Sequence, residues 1–304
     1  MAAPASMRYL DPEMLRAIGT MELRARLLVE GLYASRHRCP FYGYSVEFKD
    51  FREYVPGDDP RQLDYRMLAR TERYYVRRFE MESNMNVAVL LDASGSMGYR
   101  SRFDRRRLTK MEYARYLAAG LAYLVQRQQD AAGLVTFDEE LRDYLPPRQG
   151  RRHLVSILAT LESIEARAGT RTGAVLGTLA LRMPRRGMIV LLSDGYGDTA
   201  ALLDGVANLR VRGHEVVVFH LLDADETTFP FETLASFRDM ESGAEVMCDP
   251  FRQRERYLAA VAALGDRLST GCADVGADYV FVDTRRPIET VLRDYLLQRR
   301  RRAC

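Results

Sequence analysis

The chain is almost without lysine: of 45 basic residues only Lys49 and Lys110 are lysines, and arginine supplies the rest. Acidic residues number 42, so the net charge is only +3, and composition excludes a dedicated nucleic-acid binder. Cysteine is equally sparse. Cys39, Cys248, Cys272 and Cys304 lie far apart, with no CxxC pair, which excludes a disulfide framework or a zinc site and fits a reducing compartment. The four histidines, His37, His153, His214 and His220, show no metal-ligand spacing, and His220, within an apolar run, is expected to be a core histidine. No stretch reaches the roughly 18 apolar residues of a membrane span, and the N-terminus has no basic-then-apolar leader. A soluble, cytoplasmic protein is therefore expected. There is no Gly-x-x-x-x-Gly-Lys-[Ser/Thr] loop for nucleotide, and no Gly-x-Ser-x-Gly elbow around Ser96, because position 94 is Ser.

What is present reads as a globular chain in two parts. Hydrophobic residues make up 47% and charged residues 29% of its 304 positions, enough for a full core. Residues 1–83 read as a smaller N-terminal region. It has a helix over about Pro12–Arg36, a turn-rich stretch from Cys39 to Asp64, and an edge or half-buried strand over Arg73–Glu80. Residues 84–304 alternate strand and helix. Val87–Leu91 and Met188–Leu192 are short, wholly apolar runs of the kind that form central parallel strands. Further strands are expected at Glu215–His220 and Tyr279–Val282, and Gly133–Phe137 with Glu140–Tyr144 forms a hairpin about Asp138-Glu139. Helices are expected over about Leu108–Gln129, His153–Ile164, Gly173–Met183, Ala200–Arg212, Phe251–Thr270 and Pro287–Gln298. The fold class is α/β: a doubly wound, mostly parallel sheet with helices on both faces.

The candidate site is Asp92-Ala93-Ser94-Gly95-Ser96, directly after the first apolar strand. In an extended loop, positions i, i+2 and i+4 point the same way, so one carboxylate and two hydroxyls converge. The second apolar strand ends at Asp194, and between them Gly169-Thr170-Arg171-Thr172-Gly173 forms a turn that offers the Thr170 hydroxyl. Ligand sites of open α/β sheets lie outside the carboxyl ends of strands. All five donors, Asp92, Ser94, Ser96, Thr170 and Asp194, are hard oxygens, the set that suits Mg²⁺ (or Mn²⁺). An isolated Asp-x-Ser-x-Ser arises by composition in roughly one chain in ten of this length. It is the strand-end placement and the second strand-end Asp that give it weight over an ordinary capped loop.

These residues resemble, in order, the metal-ion-dependent adhesion site of von Willebrand factor A domains, and residues from Asn84 to about Leu297 are similar to that domain's run of strands and helices. The upstream run Phe51-Arg52-Glu53-Tyr54-Val55-Pro56-Gly57-Asp58-Asp59-Pro60-Arg61-Gln62-Leu63-Asp64-Tyr65, then Ala69-Arg70, resembles the "domain of unknown function" family numbered fifty-eight. Tyr65 stands where that family commonly has Trp, and the two N-terminal membrane spans of many longer relatives have no counterpart here. The resemblance implies a non-enzymatic, metal-dependent adaptor. Its partner would offer an acidic residue and would be a MoxR-type AAA+ ATPase or that ATPase's client.

Other features have plainer readings. The charged Pro56–Arg70 segment reads as a turn held by capping and ion pairs. Arg105–Arg107 and Arg299–Arg302 read as solvated faces, with nucleic-acid contact as the sharper option. The competing function is a Mg²⁺-dependent phosphoryl-transfer or hydrolytic enzyme using Asp92 or Asp194.

Overall fold

The computed structural model describes residues 85–167, 169, 172–183 and 186–303, together with 46–54, 73–81 and isolated positions between 21 and 70. The chain divides into two compact units, 1–40 with 86–304, and 41–85. In the smaller unit, strand β1 (Val46–Glu53) pairs antiparallel with β2 (Tyr75–Met81). The β2 strand falls where strand formers predicted one. The β1 strand lies inside the stretch read as turn-rich, where no strand was expected. Its apolar–charged alternation, Val46-Glu47-Phe48 and then Asp50-Phe51-Arg52, carries a strand period that the flanking Pro and Gly residues frame without interrupting. Of the expected Pro12–Arg36 helix, the described positions Met21, Leu23, Ala25, Arg26 and Val29 are helical, and Met21, Ala25 and Val29 are buried at a four-residue step.

The larger unit carries the strands β3 (Asn86–Asp92), β4 (Ala131–Phe137), β5 (Leu141–Arg148), β6 (Met188–Ser193), β7 (Glu215–Leu222), β8 (Ala235–Arg238), β9 (Glu245–Cys248) and β10 (Asp278–Asp283). Six of them form one sheet in the order β10-β7-β6-β3-β4-β5, parallel except for β5, which folds back on β4. The β4–β5 pair is the expected hairpin. Helices α1 (Lys110–Arg127), α2 (Arg151–Ser163), α3 (Thr172–Arg182), α4 (Thr199–Val211), α5 (Ala224–Thr228), α6 (Pro250–Asp274) and α7 (Ile288–Ala303) complete it. The β8–β9 hairpin and α5 were not legible in the sequence, the hairpin strands being four residues long and largely exposed and α5 only five residues long.

Both β3 and β6 are buried on both faces, which is why they read as uninterrupted apolar runs. Alternation sends Ala88, Leu90, Ile189, Leu191, Val216 and Val218 into one core with residues of α3, α4 and α6. On the opposite face Phe219 meets the Tyr295 ring of α7 edge-on at 5.2 Å. The doubly wound α/β architecture follows.

The winding fixes the position of the site. From β3 the chain passes through α1 to β4 on one side, while β6 lies on the other side of β3 and leads through α4 to β7. The strand order therefore reverses between β3 and β6, which pair in register from Val87↔Met188 to Leu91↔Leu192. Their carboxyl ends coincide, and the crevice beyond them is the topological switch point, where such sheets bind ligands.

Candidate metal centre

Asp92 closes β3 and is fully buried. Its Oδ1 accepts the Ser94 N–H at 2.9 Å, an Asx-type turn that curls the chain into a short 3-10 segment, Gly95–Gly98. Its Oδ2 accepts the Ser193 hydroxyl at 2.6 Å across the β3/β6 pair, and that hydroxyl in turn accepts the Gly195 N–H at 3.0 Å. The Ser94 and Ser96 hydroxyls lie 3.1 Å apart, so the i, i+2, i+4 convergence expected of the loop is present. The Ala93 carbonyl accepts the Arg167 N–H at 2.8 Å, and Ser94 bridges to Arg167, which draws the segment before the threonine turn alongside the loop. Thr170 itself lies outside the described residues.

Asp194, also fully buried, directly follows β6. Its Oδ1 accepts the Tyr196 N–H at 3.2 Å. Its Oδ2 accepts from a residue the sequence reading passed over: Lys110, first residue of α1, whose Nζ is 2.8 Å away. The same ammonium lies 2.7 Å from Glu226 Oε1 and 4.9 Å from the centre of the Tyr196 ring, and the lysine side chain has no exposed surface. Local chemistry holds both ends of this triad. Thr109 and Glu112 form a capping box that starts α1 at Lys110, and Asp223 with Glu226 forms another that starts α5. Asp225, the residue before Glu226, accepts from the Tyr99 hydroxyl at 3.1 Å, the Ser101 hydroxyl at 2.9 Å and the Arg102 N–H at 2.9 Å, tying down the loop that leaves the candidate site. The one sequence signal for Lys110 was its identity: one of two lysines in a chain whose other basic residues are all arginine. A guanidinium is larger and forked, and it does not substitute for a compact ammonium between two carboxylates.

The electrostatics are lopsided. Burial, then the charge of Asp194, push the Asp92 carboxyl up to about 7, against the opposing bonds from Ser193 and Ser94. Burial alone would neutralise Lys110, but the charges of Asp194 and Glu226 outweigh it and hold the ammonium protonated. Asp194 thus has an ion-pair partner. Asp92, among the described residues, has hydrogen-bond donors only.

The residues fit a hard divalent cation by their donor chemistry. Each carboxylate oxygen of Asp92 and Asp194 holds one hydrogen bond and keeps a second lone pair. Among the described residues no three His, Cys, Asp or Glu side chains stand close enough to hold an ion by themselves, so a site here has to draw on the serine hydroxyls. His220 is buried, as expected of a core histidine. Burial lowers its pKa to about 4, and its Nδ1 pairs with the Tyr279 hydroxyl at 2.8 Å.

Fold and loop together define a doubly wound α/β protein with an oxygen-lined site at its switch point. The chain belongs to the family described as "Protein of unknown function DUF58", whose model matches residues 50–267. It is 28% identical over 302 residues to uncharacterized protein Rv1480 of Mycobacterium tuberculosis and to uncharacterized protein Mb1516 of Mycobacterium bovis, covering 96% of this chain and 92% of each relative. Among solved structures it is similar to the conserved hypothetical protein BatB from Bacteroides thetaiotaomicron, at 18% identity and a TM-score of 0.47, covering 70% of this chain and 99% of that one. It is also similar to the SpRpn10 VWA domain, at 10% identity and a TM-score of 0.38, covering 68% and 94%. No helix of the described residues is long and apolar enough to cross a membrane.

Proposed function

We propose that this protein is a metal-dependent, protein-binding adaptor of the von Willebrand factor A type. Mg²⁺, or Mn²⁺ in its place, is held by Asp92, Ser94, Ser96, Thr170 and Asp194. The observation that carries the reading is the buried Asp92 carboxylate, which feels the charge of Asp194 and, among the described residues, has no cation of its own. Two adjacent buried carboxylates are costly unless a positive charge joins them. Lys110 answers for Asp194 and Glu226, and the divalent ion answers for Asp92. When bound, the ion supplies a Lewis-acidic position at which an acidic side chain of a partner replaces water. The resemblance drawn from the sequence implies a MoxR-type AAA+ ATPase, or its client, as that partner. The ATPase supplies the energy for remodelling or maturing a client complex.

The enzyme alternative, Mg²⁺-dependent phosphoryl transfer or hydrolysis, has less behind it. Both Asp92 oxygens are engaged by donors and Lys110 is shared by two carboxylates, an arrangement that suits coordination better than nucleophilic attack. Co-purification from the source lysate tests the adaptor reading. Wild-type protein in Mg²⁺ should retain an AAA+ ATPase or another defined protein, and EDTA or Asp194→Ala should release it. Retention indifferent to both treatments contradicts the reading.

A further inference from the structure

The β8–β9 hairpin lies against the metal loop, and its position is built from both ends. Along β8, Phe237 packs edge-on against Phe231 at 4.9 Å and stacks on Phe229 at 5.7 Å, while Phe229 meets Tyr257 of α6 at 4.6 Å. At its tip the Asp239 carboxylate accepts the Glu241 N–H at 2.9 Å and the Ser242 hydroxyl at 2.6 Å, and Gly243 closes the turn at φ +73°. The tip reaches the loop closely enough that a Cβ on Gly95 would lie 2.4 Å from the Met240 carbonyl oxygen. Only glycine lets the two backbones approach this far.

The next residue, Glu241, brings a carboxylate to the loop. It follows Met240, whose carbonyl packs on Gly95, and its Oε1 is buried with no hydrogen-bond partner. Burial and then the charges of Asp194 and Asp239 raise its pKa, so it is held there against like charge. Ser96, Asp239 and Met240 also border a cleft of about 560 Å³ that runs on to Arg238, Tyr257 and Arg267. The cleft also holds the carboxylates of Glu226, paired with Lys110, and Asp239, bound to its own turn, so an acidic segment lying along it would meet the Arg238 and Arg267 guanidinium groups and Tyr257.

We propose that Glu241 belongs to the centre: the hairpin tip puts the chain's own carboxylate at the Ser96 end of the loop, where a partner's acidic side chain has to arrive. The inference rests on the adaptor reading above and deepens it. Partner capture then requires the tip to yield, and the cleft receives the segment that displaces it. A site occupied in cis nine-tenths of the time binds its external ligand about tenfold more weakly than an open one.

The test uses the full chain and a fluorescein-labelled hexaglutamate peptide, read by anisotropy in Mg²⁺ and in EDTA. Glu241→Ala should bind the peptide about tenfold more tightly than wild type in Mg²⁺, with the gain abolished by EDTA. Asp239→Ala, which unties the tip without touching the loop, should shift binding in the same direction by less. Equal or weaker binding in both variants overturns the inference, as does the absence of binding in all three proteins. A calorimetric Mg²⁺ titration of the same samples needs no peptide and separates the two failures. If wild type takes up no Mg²⁺, the metal centre itself has failed; if it takes up Mg²⁺ while peptide binding ignores Glu241, only the cap has failed.

Discussion

Lys110 Nζ stands 2.8 Å from Asp194 Oδ2, with both side chains shut away from solvent. The centre thus carries a covalently tethered cation on the Asp194 side and, among the described residues, none on the Asp92 side. The proposed divalent ion would answer for the charge of Asp92.

Removing the tethered cation should be expensive. Lys110→Met leaves Asp194 and Glu226 buried without a partner, a loss of about 3–5 kcal/mol of stability. The double variant Lys110→Met/Glu226→Gln should recover part of it. Urea denaturation of the three proteins measures both effects, and a single-variant loss under about 1 kcal/mol would contradict the assigned burial.

Stability should depend on pH with a sign that metal reverses. The Asp92 carboxyl is raised from 3.8 to about 7 in the folded, metal-free chain. Between these values the folded state holds a proton that the unfolded state has released, so stability from this group falls as pH rises through the window. A divalent cation binds the deprotonated form and opposes that fall. The gap between melting temperatures in Mg²⁺ and in EDTA should therefore widen from pH 5 to pH 8. Other titrating groups contribute to both arms and largely cancel in the difference; a gap that stays flat contradicts the assignment of Asp92.

Ser193 acts behind the proposed ligands. Its hydroxyl donates to Asp92 Oδ2 at 2.6 Å and lowers that carboxyl's pKa, so Ser193→Ala removes an orienting bond from a proposed ligand without deleting any proposed ligand. Metal affinity should drop about 10- to 100-fold, the usual effect of losing such a support. Calorimetric titration with Mn²⁺ checks it, and an unchanged affinity would place the ion away from Asp92.

Parts of this were legible in the chain and parts were not, for physical reasons. The β3 and β6 strands announce themselves because strands covered on both faces must be apolar at every position, and Asp92 and Asp194 are conspicuous as the charges that end those runs. Convergence of Ser94 and Ser96 follows from local geometry over five residues. Lys110, Ser193 and Glu226 join the centre through contacts spanning 84 to 116 residues, which no periodicity encodes. Glu241 sits on a hairpin whose strands have four residues each and an exposed outer edge, too short to display alternation. The β1 strand was hidden differently, as eight residues of alternating pattern between two groups of turn formers.

The most direct measurement is a Mn²⁺ titration of the purified full chain, followed by electron paramagnetic resonance of the free ion, for wild type and Asp92→Ala. The account predicts one ion bound per wild-type chain, displaced by excess Mg²⁺, and no such binding in Asp92→Ala despite an unchanged circular dichroism spectrum. Wild-type protein that leaves the Mn²⁺ signal at its free value, or a folded Asp92→Ala protein that binds as tightly as wild type, would contradict the metal centre on which the proposed function rests.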